Sequence, residues 1–277
     1  MKPFVAVLLV AAAACAISWI ASLISGDTSW VDRLWSVLPV IYVWIFAGFS
    51  SLHNARLNVM AMAVTIWGIR LTFNLARKGG YKGLEDYRWP ILRARMRPWQ
   101  FQLFNFFFIV LYQNIILILI TLPALTAYQH RSTPFGVLDL FLATVFLACT
   151  AAETVADEQQ WNFQSWKSAE IAADRTPTSR FLQSGLFRLS RHPNYFFEQA
   201  QWWVLFFMGA VAARSVLQWT VVGALLLSLL FLGSTRFTEN ISLSRYPEYE
   251  HYQHQTSAVV PWFPRRSRPA SEALETG

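Results

Sequence analysis

Long stretches without a single charged residue set the narrowest limits on how this chain can fold. Pro3 to Ser25 carries no charge, and neither do Leu34 to Leu52, Trp99 to Gln129 or Ser215 to Thr235. Leu57 to Ala76 carries one, Arg70. Phe135 to Gln160 begins apolar and turns acidic, and Tyr195 to Ala213 is short and rich in aromatic residues. A helix needs about 20 apolar residues to cross the hydrocarbon core of a bilayer. The sequence therefore predicts an all-α, polytopic membrane helix bundle of about seven transmembrane helices. Tyr195 to Ala213 has the least margin of the seven, and a re-entrant or tilted helix fits it as well. The first segment is read as a span rather than a cleaved leader, because its apolar run continues through Trp19-Ile20-Ala21, past the small residues at Ala14 to Ala16.

Composition agrees. Of 277 residues, 55% are hydrophobic and only 14% charged, against roughly 25% charged in soluble domains. Disorder is excluded, since it requires low hydrophobicity. Two cysteines, Cys15 and Cys149, allow one disulfide at most, which excludes a stapled secreted scaffold. Both sit in apolar runs and read as thiols buried in the membrane.

The cations choose the orientation. With the N-terminus outside, 18 Lys and Arg fall on the cytoplasmic side and 4 (Lys2, Arg56, Arg131 and Arg214) on the other. The expectation is an external N-terminus and a cytoplasmic C-terminus, in a bacterial inner membrane or, in a eukaryote, the endoplasmic reticulum. The net charge of +7 follows from this topology and does not point to nucleic acid. There is no repeat and no linker. A single domain is expected over 1–264, followed by a basic, disordered tail at 265–277 resting on anionic headgroups.

Charge inside a span is costly and marks a site. Arg70, Glu153, Asp157, Glu198, Arg236 and Glu239 lie in or near the cytoplasmic ends of four different spans. They suggest a polar chamber open to the cytoplasm. Glu153 and Asp157 stand at i, i+4 on one helix face. The densest segment runs from Gly185 through Arg188, Ser190-Arg191-His192-Pro193-Asn194-Tyr195 to Glu198. Pro193 suits the first turn of a helix, and a helix N-terminus flanked by two arginines favours an anion. The loop from Arg77 to Arg97 sets two Gly-rich turns among cations, Tyr81, Tyr87 and Trp89. It has neither P-loop nor Rossmann spacing. The five histidines are scattered, without the spacing of a metal site, and no Gly-x-Ser-x-Gly elbow is present.

Taken together, these motifs resemble the steroid 5-alpha-reductase superfamily, most closely its bacterial-type branch of undefined substrate. The likeness is carried by Trp30-Val31-Asp32-Arg33-Leu34-Trp35, Trp67-Gly68-Ile69-Arg70-Leu71, Gly83-Leu84-Glu85-Asp86-Tyr87-Arg88, and Glu153, Asp157 and Gln159. It continues through Gly185 to Glu198, Glu239, Pro247-x-Tyr249-x-x-Tyr252 and Ser257-Ala258-x-x-Pro261-Trp262. It implies seven membrane helices and NADPH bound on the cytoplasmic side, with hydride delivered to the β carbon of an enone while a proton donor meets the carbonyl oxygen. By this resemblance Glu153, Asp157, Arg188, Arg191, Asn194, Tyr195 and Glu198 hold the cofactor, the arginines at phosphate and the carboxylates at ribose or amide. Glu239, Tyr249 and the loop bearing Arg88 close over it. The Gln-Glu pair that steroid-reducing members carry on the second span is missing here. Tyr42 and Tyr87 are the remaining proton donors, and the substrate is a lipophilic enone, steroid-like or isoprenoid-like. Two alternatives stay open. One is an S-adenosylmethionine-dependent enzyme like the isoprenylcysteine methyltransferases, which share Arg-His-Pro-x-Tyr and a late Glu. The other is a non-catalytic lipid-binding membrane protein.

Overall fold

A hydrocarbon core cannot hydrogen-bond an exposed peptide group, so a spanning chain must satisfy its backbone locally. The computed structural model describes residues 2–265 and meets that demand with helices: α1 (Pro3–Ser25), α2 (Trp30–Trp35), α3 (Leu38–Phe49), α4 (Ala55–Arg77), α5 (Arg88–Ala94), α6 (Pro98–Phe104), α7 (Gln113–Gln129), α8 (Val137–Ala172), α9 (Pro193–Ala213), α10 (Val221–Arg245) and α11 (Tyr249–Gln255). A π-helical stretch, Asn105–Tyr112, joins α6 to α7, and a 3-10 turn, Gly185–Arg188, precedes α9. Among the described residues no strand forms. The basic tail expected from 265 onward lies, past Arg265, outside the described residues.

Six segments are long and apolar enough to cross a membrane: Pro3–Ser25, Trp30–Phe49, Ala55–Arg77, Pro98–Gln129, Val137–Ala172 and Val221–Arg245. The protein is a multi-pass integral membrane protein. The seventh expected span, Tyr195 to Ala213, lies in the continuous 21-residue helix Pro193–Ala213, which is not among the six. Its Glu198, Gln199 and Gln201 dilute it. The second span is broken between α2 and α3, where Pro39 sits in the first turn of the new helix.

The chain divides into two compact units, one of residues 1–150 with 201–228 and the other of 151–200 with 229–277, so that the dividing lines fall inside α8, α9 and α10. In the first unit α3 packs against α1, α4 and α7. Trp67 of α4 meets Trp202 edge-on with centroids 4.8 Å apart. Pro123 lies within α7 and has no N–H to offer the carbonyl of Leu119 one turn earlier. Gly223 of α10 closes on that carbonyl, and a Cβ there would stand 2.2 Å from the Leu119 oxygen.

One ion pair in this unit is shut away from solvent. Arg56 Nε and Nη2 donate to the two carboxylate oxygens of Asp139 at 2.5 and 2.8 Å. Its other donors reach the carbonyls of Thr133 and Pro134. Each side chain is 1% exposed. The fork ties the start of α4 to the start of α8, and every charged atom in it has a partner. The loop Gly80 to Arg93 is stitched to residues 26–33 in the same unit. Glu85 accepts from Thr28 N, Thr28 Oγ1 and Arg93, while Arg33 donates to Gly80 O at 2.7 Å.

Removing one member of a buried pair strands the other charge, at a cost of about 3–5 kcal/mol. Arg56→Leu is therefore expected to lower the melting temperature sharply in detergent, and Arg56→Leu with Asp139→Leu to recover part of the loss. Gly223→Ala should destabilise by about 1–3 kcal/mol through overpacking. Gly233→Ala, where a Cβ meets nothing within 4 Å, should be neutral or stabilising by up to about 1 kcal/mol. Thermal melts of the four variants check this order.

Candidate functional site

The second unit holds most of the residues singled out from the sequence. It contains the later part of α8, the 3-10 turn, the start of α9, the later part of α10, and α11 with the segment after it. Gly185 has φ +61°, and a Cβ on it would lie 2.5 Å from the Gln159 amide. Only glycine fits both the backbone and the space. The gap lets Gln159 Oε1 of α8 accept from Leu186 N at 2.9 Å, which fixes the turn and with it Phe187, Arg188 and Leu189.

From this turn the chain runs beside residues 256–262. Arg191 N donates to Ser257 O at 2.8 Å, His192 N to Ala258 O at 3.0 Å, and Trp262 N to Leu189 O at 2.8 Å. Ser190 and Ser257 form a parallel bridge. Ser190 is fully buried, and its hydroxyl donates to Val259 O at 2.7 Å. Tyr252 Oη donates to Phe187 O, and Arg265 N returns to Gln255 O at 2.9 Å. Two segments more than sixty residues apart are thus laced into one body.

Arg191 is the centre of the lacing. Its Nε and Nη2 donate to Glu239 Oε1 and Oε2 of α10 at 2.7 and 3.0 Å. Its Nη1 donates to the carbonyls of Gln253 and Thr256 at the end of α11, and Tyr249 takes a further side-chain hydrogen bond from it. Glu239 also accepts from Gln253 Nε2 at 2.9 Å and stands 3.1 Å from His192 Nε2. The His192 ring stacks on Tyr195, centroids 5.1 Å apart, and Tyr195 meets Phe231. Phe181 packs against Tyr246, Tyr249 and Tyr252. Burial, and after it the Glu239 carboxylate, raises the Tyr249 hydroxyl above its usual range; burial, and then Tyr249, does the same for Tyr252. Both hydroxyls therefore keep their protons at neutral pH. A cleft of about 400 Å³ opens beside the clamp, walled by Arg191, Gln255, Trp262, Phe263 and Arg265 among others.

The structure therefore brings Arg191, His192, Tyr195 and Glu239 into one network. Glu153, Asp157 and Glu198 are in the same unit and are 4%, 4% and 5% exposed. Arg188 is exposed and Asn194 half-buried. Arg191, which the sequence suggested for a phosphate, has its guanidinium engaged within the protein, and Glu239 is its counter-ion. Arg236 is also in this unit, and Arg70, Tyr42, Tyr87 and Arg88 belong to the first. Tyr42 of α3 is fully buried. Tyr87 is half exposed. Arg88 is held by Asp86, at 2.8 Å from Nε to Oδ1. Sequence reasoning missed Gln253 and Thr256, which complete the Arg191 clamp. Their only signal was proximity to the Tyr249-x-x-Tyr252 motif.

Comparison with known proteins now has a geometry to refer to. No solved structure matches the chain. It is similar to the uncharacterized protein C594.04c of Schizosaccharomyces pombe, 37% identical over 278 residues that cover 94% of this chain and 80% of that protein. The family model described as a protein of unknown function, DUF1295, matches residues 18–256. That range takes in the π-helical stretch, the buried carboxylates and the Arg191 clamp, and the chain belongs to the DUF1295 family.

Proposed function

We propose that this protein is a membrane-embedded, NADPH-dependent reductase of a carbon–carbon double bond in a lipophilic enone, with the clamp side of the chain facing the cytoplasm. The observation that carries the reading is the burial of Glu153, Asp157 and Glu198 within the unit that also presents Arg188 and the Arg191 clamp. Carboxylates are expensive on membrane helices and persist where they serve a site.

The residues suit the cofactor in a particular division of labour. Arg188, exposed on a turn fixed by Gln159, is free of the clamp network and suits a phosphate. The buried carboxylates and Asn194 suit ribose hydroxyls and the carboxamide. Arg191 and Glu239 act one step away, by holding the loop from Ser190 to Asn194 in place. Reduced nicotinamide supplies the hydride when bound. A proton donor, for which the sequence offers Tyr87 and Tyr42, meets the carbonyl oxygen of the enone, stabilises the enolate that forms, and supplies a proton as the α carbon is protonated. A saturated ketone is the product.

Thermal stabilisation of the detergent-purified protein by NADPH tests this, with S-adenosylmethionine titrated in parallel. A ligand at a hundredfold excess over Kd stabilises by about 2.7 kcal/mol. NADPH is expected to raise the melting temperature and S-adenosylmethionine to leave it unchanged; the reverse result ends the reductase reading. Loss of a charge-assisted hydrogen bond costs about 1.5–3 kcal/mol, so Arg188→Ala should weaken NADPH binding about tenfold or more at an unchanged melting temperature. Arg191→Ala should instead lower the melting temperature, since it leaves Glu239 without its main partner. Equal melting temperatures for the two variants would remove the division of labour.

A further inference from the structure

One motif singled out in the sequence has no part in the reductase reading: Ser257-Ala258-x-x-Pro261-Trp262, with Phe263 after it. It walls the cleft beside the clamp. Trp262 and Phe263 are 70% and 81% exposed. Scattered apolar residues at a surface are ordinary. These two are adjacent, bracketed by Pro261 and Pro264, and their backbone is pinned. Trp262 N donates to Leu189 O, and Arg265 N to Gln255 O. Two large rings are thus held at the surface of a fixed segment.

Depth identifies what covers them. Gln253, in the wall of the cleft, donates from Nε2 to Glu239 of α10 at 2.9 Å. Arg191, also in the wall, joins that carboxylate to the carbonyls of Gln253 and Thr256. The cleft therefore lies level with Glu239. Helix α10 is one of the six segments able to cross the membrane. From Val221 to Glu239 it rises about 27 Å, at roughly 1.5 Å per residue, and the hydrocarbon core is about 30 Å thick. With Val221 at one face of the core, Glu239 falls within about one turn of the other. The cleft opens at headgroup depth, where tryptophan is enriched at membrane boundaries.

The chemistry of the wall selects the headgroup. Arg191 is matched by Glu239, and His254 stands 4.0 Å from Glu250. The Arg265 guanidinium and the Ser257 hydroxyl donate to no protein atom among the described residues. No acidic residue lines the cleft among the described residues. A guanidinium and a hydroxyl suit a phosphate, and an aromatic pair beside them suits the chains that a lipid phosphate carries. We propose that this cleft takes the headgroup of an anionic phospholipid, its phosphate at Arg265 and Ser257 and its acyl chains leaving past Trp262 and Phe263. The lipid would brace the segment that completes the Arg191 clamp. The site stands whatever reaction the protein carries out, and no cofactor enters its test.

The full-length protein in detergent is titrated with phosphatidylglycerol, phosphatidylcholine and sodium phosphate, and its melting temperature is followed. Phosphatidylglycerol should stabilise at lower concentration than phosphatidylcholine. Arg265→Gln should weaken the phosphatidylglycerol response about fivefold, the contribution of one cation near an anionic surface, and leave the phosphatidylcholine response unchanged. Trp262→Ala with Phe263→Ala should weaken both. Both changes lie on exposed side chains, so the lipid-free melting temperature should hold. Arg95→Gln, at an exposed arginine in the first unit, measures general attraction and should alter neither response. Equal responses to the two lipids would overturn the proposal, as would equal losses from Arg95→Gln and Arg265→Gln. A phosphatidylglycerol response that survives the cleft substitutions would do the same. Stabilisation by sodium phosphate alone, matching that by the lipid, would make this a site for a free anion and end the lipid assignment.

Discussion

Removing water from around a peptide chain leaves every polar atom to find its partner inside the protein. The backbone answers with helices, and the side chains have to answer one by one. Arg56 does so with a fork onto Asp139 and two carbonyls. Gly223 comes close to the carbonyl that Pro123 cannot serve. Arg191 gathers Glu239 and the end of α11. Each joins elements that are distant in sequence.

The clamp changes the sense of the segment that the sequence made most prominent. Arg-His-Pro-Asn-Tyr looks like a loop whose cations point outward at a ligand. In the structure the first Arg and the His turn inward to Glu239, and Arg188, three residues earlier, stays exposed. The two arginines differ because only Arg191 has backbone bonds to Ser257 holding it beside the α11 carbonyls. A planar guanidinium fork matches a carboxylate on one edge and carbonyls on the other, so the role cannot pass to lysine.

Much of the architecture was readable in advance because membrane spans are written in composition, over windows of about 20 residues. The uncharged runs became α1, α3, α7 and α10, and the buried carboxylates fell where charge interrupts apolar sequence. The π-helical turn at Asn105 to Tyr112 was not readable, since a change of hydrogen-bond register leaves no mark in a run of Phe, Ile and Val. Nor was the partnership of Arg191 with Gln253 and Thr256, because acceptance by backbone carbonyls does not depend on residue type.

The lacing of residues 189–192 to residues 256–262 bears on how the protein is made. Helices are handed to the membrane in order as the chain emerges, and each can insert before the next exists. The body around Arg191 cannot form on that schedule. Glu239 arrives some fifty residues after its partner, and the carbonyls that complete the clamp are among the last of the described residues to be synthesised. Until then a cationic loop, a buried carboxylate and Ser190 must wait unmatched at the edge of the bilayer. A chain released before residue 256 would carry every one of the six long apolar segments and still lack this body, so insertion and competence are separate events in its biogenesis.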